Sequence, residues 1–168
     1  RMTTEILTID KGQCLTDVLP AIPANTIFDK TITGCGATHS EIVNAARHSI
    51  IIEPNIPVIL GKKAEHPFLF AVYEGITKED VKAYLAGEHD GYRKIITTPE
   101  GFDKKVLPAM HELEIPVYKD YFLLFDECQK AIQDVGYRGD IYLPVEDFFK
   151  FENKAMVSAT PIVPSDPR

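Results

Sequence analysis

Short runs of apolar residues recur along the chain, and most of them are continuous instead of alternating with polar residues. Continuous apolarity is typical of strands that are covered on both faces, as in a parallel sheet. Six runs therefore predict strands, at Thr26–Thr33, Ser49–Glu53, Pro67–Tyr73, Lys94–Thr98, Tyr121–Phe125 and Lys154–Ser158.

The segments between these runs have the length and the capping residues of helices. Thr77 precedes Glu79 and Asp80, a capped and acid-rich first turn, and Thr98 precedes Pro99, which suits a first helical position. Strands that alternate with helices favour an α/β fold with a mainly parallel central sheet, which binds ligands at the carboxyl ends of its strands. The predicted helices are His39–Arg47, Thr77–Ala86, Pro99–His111 and Val145–Phe151.

Length and proline content predict one domain with two flanking segments. A chain of 168 residues is long enough for a single core. Residues 1–25, with Pro20 and Pro23, form a lead-in, residues 26–161 form the domain, and the proline-rich residues 162–168 are expected to be an extended linker or tail.

Charge and cysteine usage exclude some classes of function. The net charge of −7 argues against binding of nucleic acid by the bulk surface, although a local groove remains open. Three widely spaced cysteines predict reduced thiols, not a disulfide framework or a zinc cluster. The five histidines show no ligand spacing, and a solvent-facing position is the commoner explanation for His39. No apolar run has the length of a membrane span and no signal peptide is evident, so we expect no membrane partner and a cytoplasmic location.

The segment Thr33-Gly-Cys-Gly-Ala-Thr38 lies between a predicted strand and a predicted helix, where a phosphate-binding loop belongs. Its small residues would let backbone amides approach phosphate oxygens, and Thr38 occupies the position of the Ser or Thr that coordinates Mg²⁺. Two positions depart from the full motif, since Thr31 replaces the first glycine and Ala37 replaces the lysine. A glycine-rich turn without a ligand explains the loop alone equally well. The predicted nucleotide-binding residues are Thr33, Gly34, Cys35, Gly36, Ala37 and Thr38.

Polar motifs also follow two other apolar runs. The first run ends in Asp126-Glu127-Cys128-Gln129, and the second ends in Ser158-Ala-Thr160. Taken alone, the acid pair is more often a solvated strand cap, and the Ser-Ala-Thr tripeptide is more often an ordinary strand-end turn. Their order and spacing give the combination its significance.

In this order, the three motifs resemble the first RecA-like lobe of a superfamily 2 (DEAD/DEAH-like) helicase or translocase, over roughly Thr26 to Pro161. The resemblance implies a P-loop NTPase fold, a three-layer sandwich around a mainly parallel sheet, with ATP and Mg²⁺ as cofactors. It implies Thr38 and Asp126 as metal-binding residues and Glu127 as the catalytic residue that polarises the attacking water. Ser158, Ala159 and Thr160 would couple this site to nucleic acid.

Two further segments resemble the nucleic-acid contact motifs of the same lobe, Ile52-Glu-Pro-Asn55 and Thr97-Thr-Pro-Glu-Gly101. Their expected partners are backbone phosphates of DNA or RNA. An ordinary strand-to-helix loop is at least as good an explanation for each. The predicted contact residues are Pro54, Asn55, Thr98, Pro99, Glu100 and Gly101.

The resemblance leaves the activity open. It covers one lobe, whereas family members bind ATP between two lobes and take an arginine from the second, so we expect a second lobe in cis or in trans as a partner. With alanine at position 37, only Mg²⁺ and backbone amides would neutralise the phosphate charges, unless Lys30 supplies the missing cation from its position upstream of the loop.

Three hypotheses follow. The leading one is a nucleotide-binding motor lobe of a nucleic-acid-processing ATPase, with a mobile element or phage as its suggested source and with atypical or impaired nucleotide binding. The second is a non-catalytic binding or scaffold module that keeps the motor fold. The third is an unrelated α/β protein whose motifs coincide by chance.

Overall fold

A six-stranded sheet forms the centre of the protein in the computed structural model, which describes residues 21–29, 36–126 and 145–158. Every strand pairing in these ranges is parallel, and the strand order is β1-β6-β5-β2-β4-β3. The predicted α/β fold with a mainly parallel sheet is confirmed. The strands are β1 Thr26–Asp29, β2 His48–Ile52, β3 Phe70–Val72, β4 Lys94–Thr97, β5 Tyr121–Asp126 and β6 Asn153–Ser158.

Helices connect the strands. In the described ranges they are α1 Ala37–Val43, α2 Ile56–Glu65, α3 Lys78–Ala86, α4 Pro99–Gly101, α5 Leu107–Glu112, α6 Val117–Asp120 and α7 Val145–Lys150. A π-helical segment, Phe102–Val106, joins α4 to α5. Pro108 accounts for this irregularity, because it has no N–H to donate and its ring crowds the carbonyl four residues earlier. None of these helices is long and apolar enough to cross a membrane.

Two apolar clusters lie on opposite faces of the sheet. Successive strand residues point to opposite faces, so Ile50 and Ile52 of β2 join one cluster, whereas Ile51 joins the other. The first cluster contains Val81 of α3 and residues of the π-helical segment, and the second contains Ile42 of α1 and Ile59 of α2. The sheet therefore has helices on both faces, which explains why the strand sequences are continuously apolar.

Helix α2 was not predicted from the sequence. Its first residues, Ile56-Pro-Val-Ile-Leu60, form an apolar run without helical periodicity, and Gly61 lowers the intrinsic helix propensity. Pro57 is nevertheless compatible with the first turn of a helix. Ile59 is fully buried in the second cluster, so tertiary packing overrides the weak local preference.

The predicted helix His39–Arg47 was wrong at both ends, because α1 starts at Ala37 and stops at Val43. Arg47 lies beyond the helix and its guanidinium turns back into the protein. Its Nη2 donates to Glu41 Oε1 at 2.6 Å and to the carbonyl of Ile22 at 2.9 Å. Ile22, near the end of the predicted lead-in, is itself buried in the second cluster.

Candidate functional site

Thr38 lies in the first turn of α1, directly after the glycine-containing loop. The residue before the helix, Gly36, has a φ of 92°, a left-handed conformation that favours glycine. The side chain of Thr38 is only 4% exposed, and its Oγ1 donates a hydrogen bond to Oδ2 of Asp126. A hydroxyl and a carboxylate that are 88 positions apart in sequence are therefore in direct contact.

Asp126 is the last residue of β5, a strand whose six residues are all buried. Its own exposure is 5%, and it pairs in register with Val157 of β6. The next residue of β6 is Ser158, whose backbone pairs with Asp29 of β1. The ends of β5, β6 and β1 are thus adjacent at the carboxyl edge of the sheet, the edge where parallel sheets bind ligands.

Ala37, at the position of the missing lysine, is 2% exposed and belongs to the second apolar cluster. It is the first residue of α1, and its methyl group brings no positive charge to this end of the sheet. An alanine at the first position of a helix is also intrinsically favourable. Position 37 therefore serves the packing of α1 in the native sequence.

Several of the predicted site residues lie outside the described residues: Thr33, Gly34, Cys35, Glu127, Ala159 and Thr160. Lys30, the alternative cation, is also outside them. The contact between Thr38 and Asp126 is accordingly the part of the predicted nucleotide site for which the structure provides side-chain geometry.

The predicted contact residues Pro54 and Asn55 form the turn between β2 and α2, and Asn55 is the residue that precedes the helix. The backbone N–H of Asn55 donates to Oε2 of Glu53 at 2.9 Å. Glu53 is a buried carboxylate at the carboxyl end of β2, and the backbone N–H of Glu53 donates to the carbonyl of Thr97 in β4 at 2.8 Å. The hydrogen bond from Asn55 fixes the turn in which Pro54 and Asn55 lie.

Glu53 belongs to the predicted contact segment Ile52–Asn55 but was not among the contact residues predicted from it. One residue before it, Ile52 pairs with Phe125, so Glu53 and Asp126 follow a matched pair on neighbouring strands. In the sequence, Glu53 is an acidic residue at the end of an apolar strand. The same signal led to the prediction that Asp126 is a site residue. The adjacency of the two strands is a property of the topology and could not be inferred from that signal.

The predicted contact segment Thr98–Gly101 begins the helix after β4. Thr98 Oγ1 accepts a hydrogen bond from the backbone N–H of Gly101 at 3.0 Å, so this hydroxyl caps the helix. Gly101 is buried, and a Cβ at this position would lie 2.5 Å from Oγ1 of Thr97 and 3.2 Å from Cγ1 of Val72. Glu100 is exposed and pairs with Lys104 at 3.1 Å. Helix capping and close packing thus account for Thr98 and Gly101 without nucleic acid.

Comparison with models of known protein families gives no match, and a search of curated proteins finds no significantly similar sequence.

Proposed function

We propose that the chain is the nucleotide-binding lobe of a helicase- or translocase-like ATPase that acts on nucleic acid. The observation that carries this proposal is the buried hydrogen bond between Thr38 and Asp126. It joins the end of the glycine-containing loop to the acid pair, the two elements that a Mg²⁺–nucleotide site requires together. Neither motif alone implies the other.

The donor atoms suit Mg²⁺. A hydroxyl oxygen and a carboxylate oxygen are the hard ligands that this ion prefers, and Mg²⁺ commonly binds through one or two such protein groups together with substrate phosphates. Thr38 and Asp126 would hold the ion, which when bound supplies charge neutralisation to the phosphates. Glu127, the next residue after Asp126, would orient a water molecule and accept its proton.

The order of the strands supports the finer fold proposal, a P-loop NTPase of the RecA-like type with three layers. Strand β1 precedes the glycine loop, β6 ends at Ser158 and β5 ends at Asp126. These three strands are consecutive in the sheet. The next two strands, β2 and β4, carry the two segments that resemble nucleic-acid contact motifs. At the carboxyl edge of the sheet, the nucleotide site would then lie on β1, β6 and β5, and the nucleic-acid path would lie beside it on β2 and β4.

A second candidate function, a non-catalytic module that keeps the motor fold, is favoured by Ala37. A buried methyl group at that position gives the phosphates no cation, whereas a P-loop lysine supplies one. For such a module, the contact between Thr38 and Asp126 is retained because it stabilises the fold. The two candidates differ in whether the native chain binds Mg·ATP.

The proposed function is tested by calorimetric titration of ATP into the native chain, with Mg²⁺ and without it. The proposal expects weak binding that requires Mg²⁺ and is lost in Asp126→Asn. Asp90→Asn, which removes an exposed carboxylate from a loop, is the matched control and should bind as the native chain does. Native binding that persists unchanged in Asp126→Asn would refute this site.

A further inference from the structure

Within the residues that the structure describes, one group of three side chains has the chemistry and spacing of a transition-metal site. It consists of His39 in α1, Glu65 at the end of α2, and His66, the residue that follows α2. One potential ligand atom from each side chain lies within 4.8 Å of the other two. No part of the proposed nucleotide site uses these side chains, and the two histidines are 27 positions apart in sequence.

The distances in this group match those around a small tetrahedral ion. Nδ1 of His39 is 3.3 Å from Nε2 of His66, and Oε2 of Glu65 is 3.8 Å from the same nitrogen. Zinc binds histidine nitrogen at about 2.0–2.1 Å, so two nitrogens on one tetrahedral zinc ion are roughly 3.3–3.4 Å apart. The two imidazoles therefore already have the separation that a shared ion would require.

The side chains around the two ring nitrogens suit a divalent cation. A neutral imidazole keeps a lone pair on one ring nitrogen, which is the form that ligates metals. Glu65 is 58% exposed, and its carboxylate, which also lies 3.7 Å from Lys62 Nζ, would add the negative charge that a divalent cation favours.

We propose that His39, Glu65 and His66 bind a divalent transition-metal ion, and that Zn²⁺ is the ion this ligand set suits best. Two imidazoles and one carboxylate are a common set of zinc ligands, and they leave the fourth tetrahedral position to water or another donor. The ion would link the first turn of α1 to the end of α2. Because His39 directly follows Thr38, it would also hold the turn that presents the Thr38 hydroxyl to Asp126.

A simpler explanation is a hydrogen bond between two neutral imidazoles beside an exposed glutamate. That arrangement also gives a 3.3 Å contact, but it requires no metal and predicts no zinc binding above that of the remaining side chains. The experiment must therefore measure zinc directly and assign it to these three residues.

The test is calorimetric titration of Zn²⁺ into the chelator-treated native chain without nucleotide, together with the variants His39→Gln, His66→Gln and Glu65→Gln. We expect one zinc ion per native chain. Each histidine variant should lose more than the roughly 10–100-fold in affinity that loss of an outer-shell partner costs. Glu65 is exposed, so Glu65→Gln should weaken binding without disturbing the core.

The matched controls are His111→Gln and Glu74→Gln, which alter an exposed histidine and an exposed glutamate elsewhere. Both should bind zinc as the native chain does. The three cysteines are unchanged in every variant, so zinc that binds equally well to His39→Gln and His66→Gln would be held by other side chains, such as the thiols, and would overturn the proposal. Absence of zinc binding by the native chain would also overturn it.

Thermal unfolding provides a second measurement. Zinc should raise the Tm of the native chain and of both control variants, raise that of Glu65→Gln by less, and leave that of His39→Gln nearly unchanged. An equal rise in Tm in all five chains would contradict the assignment. No nucleotide is present in the zinc experiments. A negative zinc result would therefore leave the Mg·ATP result unaffected, and a negative Mg·ATP result would leave the zinc result unaffected.

Discussion

Lys94 and Glu41 form an ion pair that is closed to solvent, with 3.6 Å between Nζ and Oε2 and side-chain exposures of 3% and 0%. Lys94 lies at the start of β4, and Glu41 lies in α1. The Glu41 carboxylate also accepts hydrogen bonds from Arg47, at 2.6 and 3.0 Å, and from Ser49 Oγ at 2.5 Å. Lys94, Arg47 and Ser49 thus surround one buried carboxylate and hold α1 against the amino-terminal edge of the sheet.

The free energy of unfolding should rise with pH between about 8 and 9.5. Burial lowers the pKa of Lys94 from 10.5 to about 8, against the opposing effect of Glu41. In this range the unfolded lysine keeps its proton and the folded one loses it, so stability increases by at most about 1.4 kcal/mol per pH unit. Below pH 8 the lysine is charged in both states and contributes no slope.

Urea unfolding of the native chain and of Lys94→Met, at several pH values from 7 to 9.5, isolates this effect. The rise should be present in the native chain and absent in the variant. Staying below pH 10 avoids Tyr121, whose pKa burial raises to about 12 and which contributes with the opposite sign. Equal slopes in the two chains would show that Lys94 is not responsible.

Thr38→Val should destabilise the fold. The substitution keeps the shape of the side chain and removes the hydroxyl that donates to Asp126, and hydrogen bonds to charged groups contribute about 1.5–3 kcal/mol. Thr38→Ser, which retains the hydroxyl, is the matched control and should remain closer to the native stability. Urea denaturation measures both, and equal stability of the valine and serine variants would argue against the bond.

Ala37→Lys should strengthen Mg·ATP binding if the loop before α1 keeps a phosphate-binding backbone. A cation beside the phosphates would contribute about 1–3 kcal/mol through charge-assisted contacts. Position 37 is buried, so the lysine stem must run along apolar surface to bring its amine to the phosphates. Ala37→Met is the control, because it adds a side chain of similar length without charge.

Calorimetry separates the outcomes of this experiment. Native binding that Lys30→Ala abolishes would indicate a displaced lysine. Binding gained only in Ala37→Lys would indicate a motor lobe that has lost its nucleotide, and binding in neither chain would count against a preserved phosphate loop.

Two helical glycines should respond to alanine with opposite signs. A Cβ added to Gly61 in α2 would meet no side chain, and no backbone beyond its own helix, within 4 Å, so Gly61→Ala should stabilise the protein by about 0.5–1 kcal/mol through helix propensity. At Gly101 a Cβ would meet Thr97 Oγ1 at 2.5 Å and Val72 Cγ1 at 3.2 Å. At this position overpacking should outweigh the gain in helix propensity, so Gly101→Ala should destabilise the protein by about 1–3 kcal/mol.

Thermal and urea unfolding of the two alanine variants would test this contrast. A stable Gly101→Ala chain would mean that the packing around Thr97 relaxes easily. In that case the glycine would need another explanation, and the predicted contact with nucleic-acid phosphates would become the first to examine.

Local patterns were sufficient to predict most of the sheet. All six strands were located from short apolar runs, most of them continuous, and the start of α3 followed from Thr77 and Asp80, whose side chains and backbones do form a capping box. Two helices were missed or misplaced where the local pattern was weak and tertiary contacts decided the outcome. Helix α2 has no strong amphipathic signal, and α1 ends at Val43, after which Arg47 turns back to bind Glu41 of α1 and the carbonyl of Ile22.

The sequence by itself determined where strands lie and which polar residues follow them. A strand buried on both faces is a continuous apolar run, and its end is a polar residue, so both are visible within a few residues of sequence. Tertiary structure alone decided that β6 lies between β1 and β5, that Thr38 contacts Asp126, and that His39 meets His66. It also decided that Ala37 is buried in the core. Such contacts join segments far apart in the chain, and their partners are selected by the order of strands and the packing of helices over them, which no local pattern encodes.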